Sequence, residues 1–140
     1  MNILFFENHY MHDLTLNFKY QLELELNYAI IDLAGNIKSF EHYVNNKRYD
    51  VFILDIMTKD SIYNFVTGKK ICETRVGIEL LTRLKAGYYK LQSPNSIVLM
   101  RTNRSSERSI NNECIKNGAQ KVLSPGSDDE KLVEYLKRQI

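Results

Sequence analysis

Apolar residues in this chain fall into short continuous runs separated by stretches of helical spacing. Ile3–Phe6 (ILFF), Ala29–Leu33, Val51–Met57, Ser96–Met100 (SIVLM) and Lys121–Leu123 are too short for helices. Their near-continuous apolar character predicts strands covered on both faces. Between them, Ile37–Asn46 places Ile37, Phe40, Glu41 and Val44 three or four apart, and Gly77–Lys85 does the same with Ile78, Leu80, Leu81 and Leu84. Ser105 is positioned to cap a helix running to Asn117, with Ile110, Cys114 and Ile115 inward and Gly118 closing it. A final helix begins at a Ser127/Glu130 capping box and turns Leu132, Val133, Leu136 and Ile140 to the core.

Asp13–Asn27 carries two conflicting signals. Leu14, Leu16, Phe18, Tyr20, Leu22, Leu24 and Leu26 alternate with polar residues, which is the period of a strand. The composition is instead that of a helix, rich in Leu, Gln, Glu and Lys, with Asp13 as N-cap and no turn residue in the run. Composition decides for helix. Gly35-Asn36 then marks a turn, and Thr58–Arg75 is a long polar connection without a clean period.

The order is strand then helix, five times. That predicts an α/β protein with a parallel sheet and helices on both faces, one domain filling residues 1–140. In such sheets ligands sit beyond the carboxyl ends of the strands, which singles out Asp55, the acid that closes the apolar run Val51–Leu54. The first strand ends at the same crevice in Glu7 and Asn8, and the fourth in Arg101 and Thr102.

Composition changes little. The chain is 44% hydrophobic and 26% charged, with a formal charge of +2, ordinary for a globular protein and without the basic excess of a nucleic-acid binder. Cys72 and Cys114 form no C-x-x-C box and are expected as reduced thiols. The start, MNILFFENHY, is not a signal peptide, and no run reaches the roughly 18 apolar residues of a membrane span. The expected location is cytoplasmic, with no membrane or direct nucleic-acid contact.

The whole chain resembles the receiver domains of two-component response regulators. NILFFEN is similar to their first strand with its acidic pair, YDVFILDIM to the strand bearing the phosphorylated aspartate, and GIELLTRLK to the helix after it. IVLMRT resembles the fourth strand with its switch Thr, and NGA…LSP the fifth strand with its Pro. The resemblance implies a flavodoxin-like doubly wound (βα)5 fold and phosphoryl transfer from a histidine kinase or phosphotransfer protein. It also implies Mg²⁺ as cofactor. By position it makes Asp55 the phosphoacceptor, Thr102 the switch hydroxyl, and Glu7, Asn8, Asp55 and the Met57 backbone carbonyl the metal ligands. It implies output through a downstream protein partner, on the face formed by the fourth helix, fifth strand and fifth helix.

The chain departs from the pattern at several points. Asn8 stands where the family has its second acid, Ser124 where it has Lys, and Lys121 at the aromatic switch position. The Thr58–Arg75 connection is much longer than usual and lacks Pro. One of Lys59, Lys69, Lys70 or Arg75 is a candidate to fold over Asp55 in place of the missing Lys, against the plainer reading of a solvated loop. Ser124–Pro125 is a candidate cis peptide, as in the resembled fold. His9 and His12 lack a third ligand and read as surface residues. The first reading is therefore a stand-alone receiver-like domain that is not an enzyme. The alternative is a pseudo-receiver that binds a partner without phosphorylation. A small nucleotide-binding module or enzyme is disfavoured, because no glycine-rich loop follows the first strand and no nucleophile–base pair is visible.

Overall fold

The computed structural model describes residues 1–8 and 13–139, so His9, His12 and Ile140 lie outside the described residues. Its elements run β1 (Asn2–Phe6), α1 (Asp13–Glu25), β2 (Ile30–Ala34), α2 (Ile37–Asn46), β3 (Val51–Leu54), α3 (Val76–Lys85), β4 (Ile97–Arg101), α4 (Arg108–Lys116), β5 (Lys121–Leu123) and α5 (Asp129–Lys137). A 3-10 turn, Glu73–Arg75, leads into α3. The five strands form one parallel sheet in the order β2-β1-β3-β4-β5. This is the doubly wound α/β architecture that the alternation predicts.

Period-2 alternation along each strand divides the core in two. Leu4, Phe6, Phe52, Leu54, Val98 and Met100 point to one face and pack with Phe40 and Val44 of α2, Leu81 and Leu84 of α3, and Ile110 and Cys114 of α4. Ile3, Phe5, Val51, Ile53 and Leu99 point to the other and pack with Phe18 and Leu22 of α1 and Leu132, Val133 and Leu136 of α5.

Several expected boundaries move, each for a local reason. β2 starts one residue late because the Ala29 amide is still bonded to Leu26 O at the end of the α1 turn. β3 stops at Leu54, since the Gly77 amide takes Ile56 O and brings α3 onto that backbone. A Cβ on Gly77 would overlap the Asp55 carbonyl oxygen, so only glycine allows this approach. Ser105 does not cap α4. Its hydroxyl is bonded to that of Ser124, and the helix begins at Arg108 with Glu107 at the N-cap. Ile115, expected inward, is exposed. The Ser127/Glu130 box does not form either: Asp128 occupies the N-cap of α5, and its carboxylate and that of Asp129 accept the Ser124 and Gly126 amides. The Ser124–Pro125 bond is trans.

The connection between β3 and α3 is built rather than irregular. Tyr63 and Lys70 form an antiparallel bridge, Asn64 Oδ1 accepts the Val66 and Thr67 amides, and Gly68 turns the chain at φ +71°. Its base is fastened to α3 through two buried charged residues. Glu79 accepts from the Asn64 side chain (3.0 Å) and the Phe65 amide (3.2 Å), and Arg83 bonds Glu79 (3.0 Å) and donates to Tyr63 O (2.6 Å).

Candidate functional site

Strand register places three charged side chains in a row at the carboxyl edge of the sheet. Phe6, Leu54 and Met100 are neighbours across β1, β3 and β4, so Glu7, Asp55 and Arg101 follow side by side. Alternation turns all three to the α1/α5 face, the side of Phe5, Ile53 and Leu99.

Glu7 and Asp55 are held against each other. The Glu7 amide donates to Ala34 O and the Asp55 amide to Phe6 O, both at 3.0 Å, which fixes the two backbones. Burial first, and then the charge of Glu7 and a hydrogen bond to it, push the Asp55 carboxyl up to about 8; the Ile56 and Met57 amides, which donate to it, pull the other way. Asp55 therefore tends to keep its proton at neutral pH, with Glu7 as its hydrogen-bond partner. Two carboxylates in one crevice ionise together only when a cation joins them.

The remaining expected ligands, Asn8 and Met57, are near neighbours of this pair along the chain. Asn8 Oδ1 accepts from Thr58 Oγ1 at 3.3 Å, and Thr58 is itself buried, so the amide oxygen is oriented from the β3–α3 connection. Met57 follows Asp55 with its side chain exposed. Two carboxylates, an amide oxygen and a backbone carbonyl are a hard, all-oxygen set, the kind Mg²⁺ takes with several waters retained. Among the described residues no group of three or more His, Cys, Asp or Glu could hold a metal ion, so the two carboxylates here would need the amide and carbonyl oxygens to complete a site. The residues fit the ion.

Thr102 is buried at the end of β4. Its amide donates to Leu123 O at 2.9 Å and its hydroxyl accepts the Arg104 amide at 3.1 Å, closing the loop before α4. Ser124, at the position of the family's Lys, is bonded to Ser105 and brings no cation to the crevice. Nor does the long connection. Among the bonds and ion pairs of the described residues, Lys59, Lys69 and Lys70 have no acidic partner, while Arg75 pairs with Glu113 on α4.

The cation that does enter is Arg101, which the sequence reading treats only as the end of a strand. Its guanidinium holds Asp129 through two bonds (3.0 and 3.1 Å), lies 3.7 Å from Glu7, and stacks on Phe18 at 4.1 Å from the ring centre. The signal was present: an arginine closing a strand that is apolar throughout, in a sheet covered on both sides, must be buried and needs acid partners. A cavity of about 500 Å3 opens beside it, lined by Glu7, Arg101, Asn103, Pro125 and Asp129 among others.

Among solved structures, the chain is similar in fold to response-regulator proteins and their receiver domains. The chain is 18% identical to the receiver domain of a Francisella response regulator, with a TM-score of 0.71 over 98% of this chain and 93% of that one. It is 21% identical to the signal receiver domain of a DNA-binding response regulator from Colwellia psychrerythraea, with a TM-score of 0.71 over 99% and 97%. A Burkholderia pseudomallei response regulator, solved with a phosphorylated aspartic acid, a calcium ion and citrate, matches at 15% identity and a TM-score of 0.60 over 99% and 71%. These likenesses establish the flavodoxin-like receiver fold. No family model matches the chain, and no curated protein matches it in sequence. No helix among the described residues is long and apolar enough to cross a membrane.

Proposed function

We propose that the chain is a receiver-like signalling domain whose Asp55 accepts a phosphoryl group with Mg²⁺ bound, its output being contact with another protein. One observation carries the reading: two carboxyl groups, Glu7 and Asp55, lie side by side and hydrogen-bonded at the carboxyl edge of the sheet, where a divalent cation would be expected. The fold supports it, and the Burkholderia protein of the same fold was solved with a phosphorylated aspartic acid and a calcium ion.

An Asp55 oxygen would attack the phosphorus of a phosphohistidine on the kinase. The new O–P bond forms as the P–N bond breaks, and the departing imidazole nitrogen takes a proton. Asp55 must be ionised for this, so the proton it keeps beside Glu7 has to leave first. Bound Mg²⁺ supplies the positive charge that neutralises both carboxylates and the phosphoryl oxygens. Glu7, Asp55, Asn8 Oδ1 and the Met57 carbonyl are its ligands in this reading. The Met57 amide already donates to the Asp55 carboxylate. Thr102 is the candidate for sensing the phosphoryl group, through rearrangement of its bond to the Arg104 amide.

A second reading has its own observation. Ser124 is tied to Ser105 and Arg101 already lies beside Glu7, which suits a pseudo-receiver that keeps one conformation and binds its partner without phosphorylation. Incubation with Mg²⁺ and acetyl phosphate, read by intact mass beside Asp55→Asn, separates the two. A gain of one phosphoryl group that vanishes in the variant is expected. No adduct would leave the pseudo-receiver.

A further inference from the structure

The alternation in α1 has a geometric consequence. Residues two apart on a helix are about 200° apart, so apolar residues at every second position form two i, i+4 stripes on nearly opposite sides. Phe18, Leu22 and Leu26 are the inner stripe, fully packed under the sheet. Leu16, Tyr20 and Leu24 are the outer one, exposed by 38%, 63% and 62%. An exposed apolar stripe along a surface helix marks a contact that the single chain does not complete.

We propose that the outer face of α1 pairs antiparallel with α1 of a second copy of the chain. The stripe is self-complementary in that direction. Two-fold pairing about Tyr20 sets Leu16 of each copy against Leu24 of the other and the two Tyr20 rings together, an isologous contact. Charge agrees with the same direction. Lys19 and Glu23 lie on one flank of the stripe and bond each other within the chain at 2.7 Å. Antiparallel helices bring like flanks together with order reversed, so each Lys19 meets the partner's Glu23. A parallel pair would set this flank against Asn17, Gln21 and Tyr28, which offer no charge to it. The flank faces the open β2 edge of the sheet, since Lys19 acts on Asp32 of β2. On the far side Glu25 is already taken by Lys137 of α5 at 2.9 Å. A single crossing of helices about 20 Å long buries less than the roughly 1,200 Å2 of a standard interface, so the dimer is a weak, transient one. The inference is independent of the chemistry at Asp55.

The test is sedimentation equilibrium of the full chain across roughly 1 to 500 µM. A monomer–dimer equilibrium is expected, abolished by Tyr20→Glu with the far-UV spectrum unchanged. Lys19→Glu and Glu23→Lys each weaken it roughly three- to tenfold. The deciding sample is an equimolar mixture of those two variants. In the mixed dimer every cross-copy pair is again opposite in sign, while the pair within each chain remains broken. Tighter association of the mixture than of either variant alone supports the proposal. A wild-type chain monomeric throughout, or a mixture no tighter than its components, overturns it.

Discussion

Among the described residues, two clusters of charge are largely buried, and they are finished to different degrees. On the α3 side, Glu79 and Arg83 satisfy one another and the connection above them: the carboxylate takes Asn64 and the Phe65 amide, and the guanidinium takes Tyr63 O and the Tyr89 hydroxyl. At the carboxyl edge of the sheet, Glu7 and Asp55 are pressed into hydrogen-bond contact, and Arg101 is committed first to Asp129. A satisfied network fixes one structure. An acid pair whose neighbouring cation is shared with a third carboxylate stores repulsion that a further cation can release. The first cluster explains why the long connection is ordered. The second is where chemistry is available.

Breaking the finished cluster should have the largest effect. Glu79→Ala removes the nearer acid partner of buried Arg83, leaving Glu41 at 3.6 Å, and is expected to cost about 3 kcal/mol in urea unfolding. It should leave any Mg²⁺-dependent stabilisation in place, because the two clusters lie on opposite faces of the sheet. Arg101→Met comes next, with about 2 kcal/mol lost through the unpaired Asp129. It frees Glu7 from a competing cation, so the rise in melting temperature on adding Mg²⁺ should grow. A smaller rise than in the wild type would show that Arg101 orients Glu7 for the metal instead. Ser124→Lys sharpens the comparison from the other side. Supplying the missing cation should speed formation of the acetyl phosphate adduct roughly tenfold, and an unchanged rate would mean that the introduced amine cannot reach the crevice past the Ser105 loop.

Much of this was legible in the residues. The five apolar runs gave the strands because a sheet covered on both faces leaves no polar position in its interior, and Asp55 stood out for the same reason. Arg101 obeyed that logic too, but a strand end is also where polar residues belong, and only the register shows it beside Glu7. Capping failed as a guide at Ser105 and Ser127. Both residues are chemically able to cap, but Ser105 instead fastens the β4–α4 loop to Ser124 of the β5–α5 loop, and within that second loop Asp128 takes the Ser124 amide. In Thr58–Arg75 no period exists to be read, because its order comes from partners on α3 rather than from a face of its own. The alternation in α1 was the most informative conflict. It signals a helix with two apolar faces, where a choice between helix and strand would have used only half the pattern.

The state of the acid pair can be measured directly. The Asp55 carboxyl stands at about 8 in the folded chain against an ordinary 3.8. Below pH 4 folded and unfolded chains both carry the proton and stability is full. Between pH 4 and 8 the unfolded chain releases it while the folded chain keeps it, so stability falls as pH rises. Urea unfolding at pH 5 and pH 8, without metal and with millimolar Mg²⁺, reads this for the wild type and for Asp55→Asn. The wild type without metal should lose on the order of 3 kcal/mol over that range relative to the variant, and Mg²⁺ at pH 8 should return most of the loss to the wild type alone. Parallel profiles for the two proteins, indifferent to Mg²⁺, would contradict an acid pair awaiting its cation.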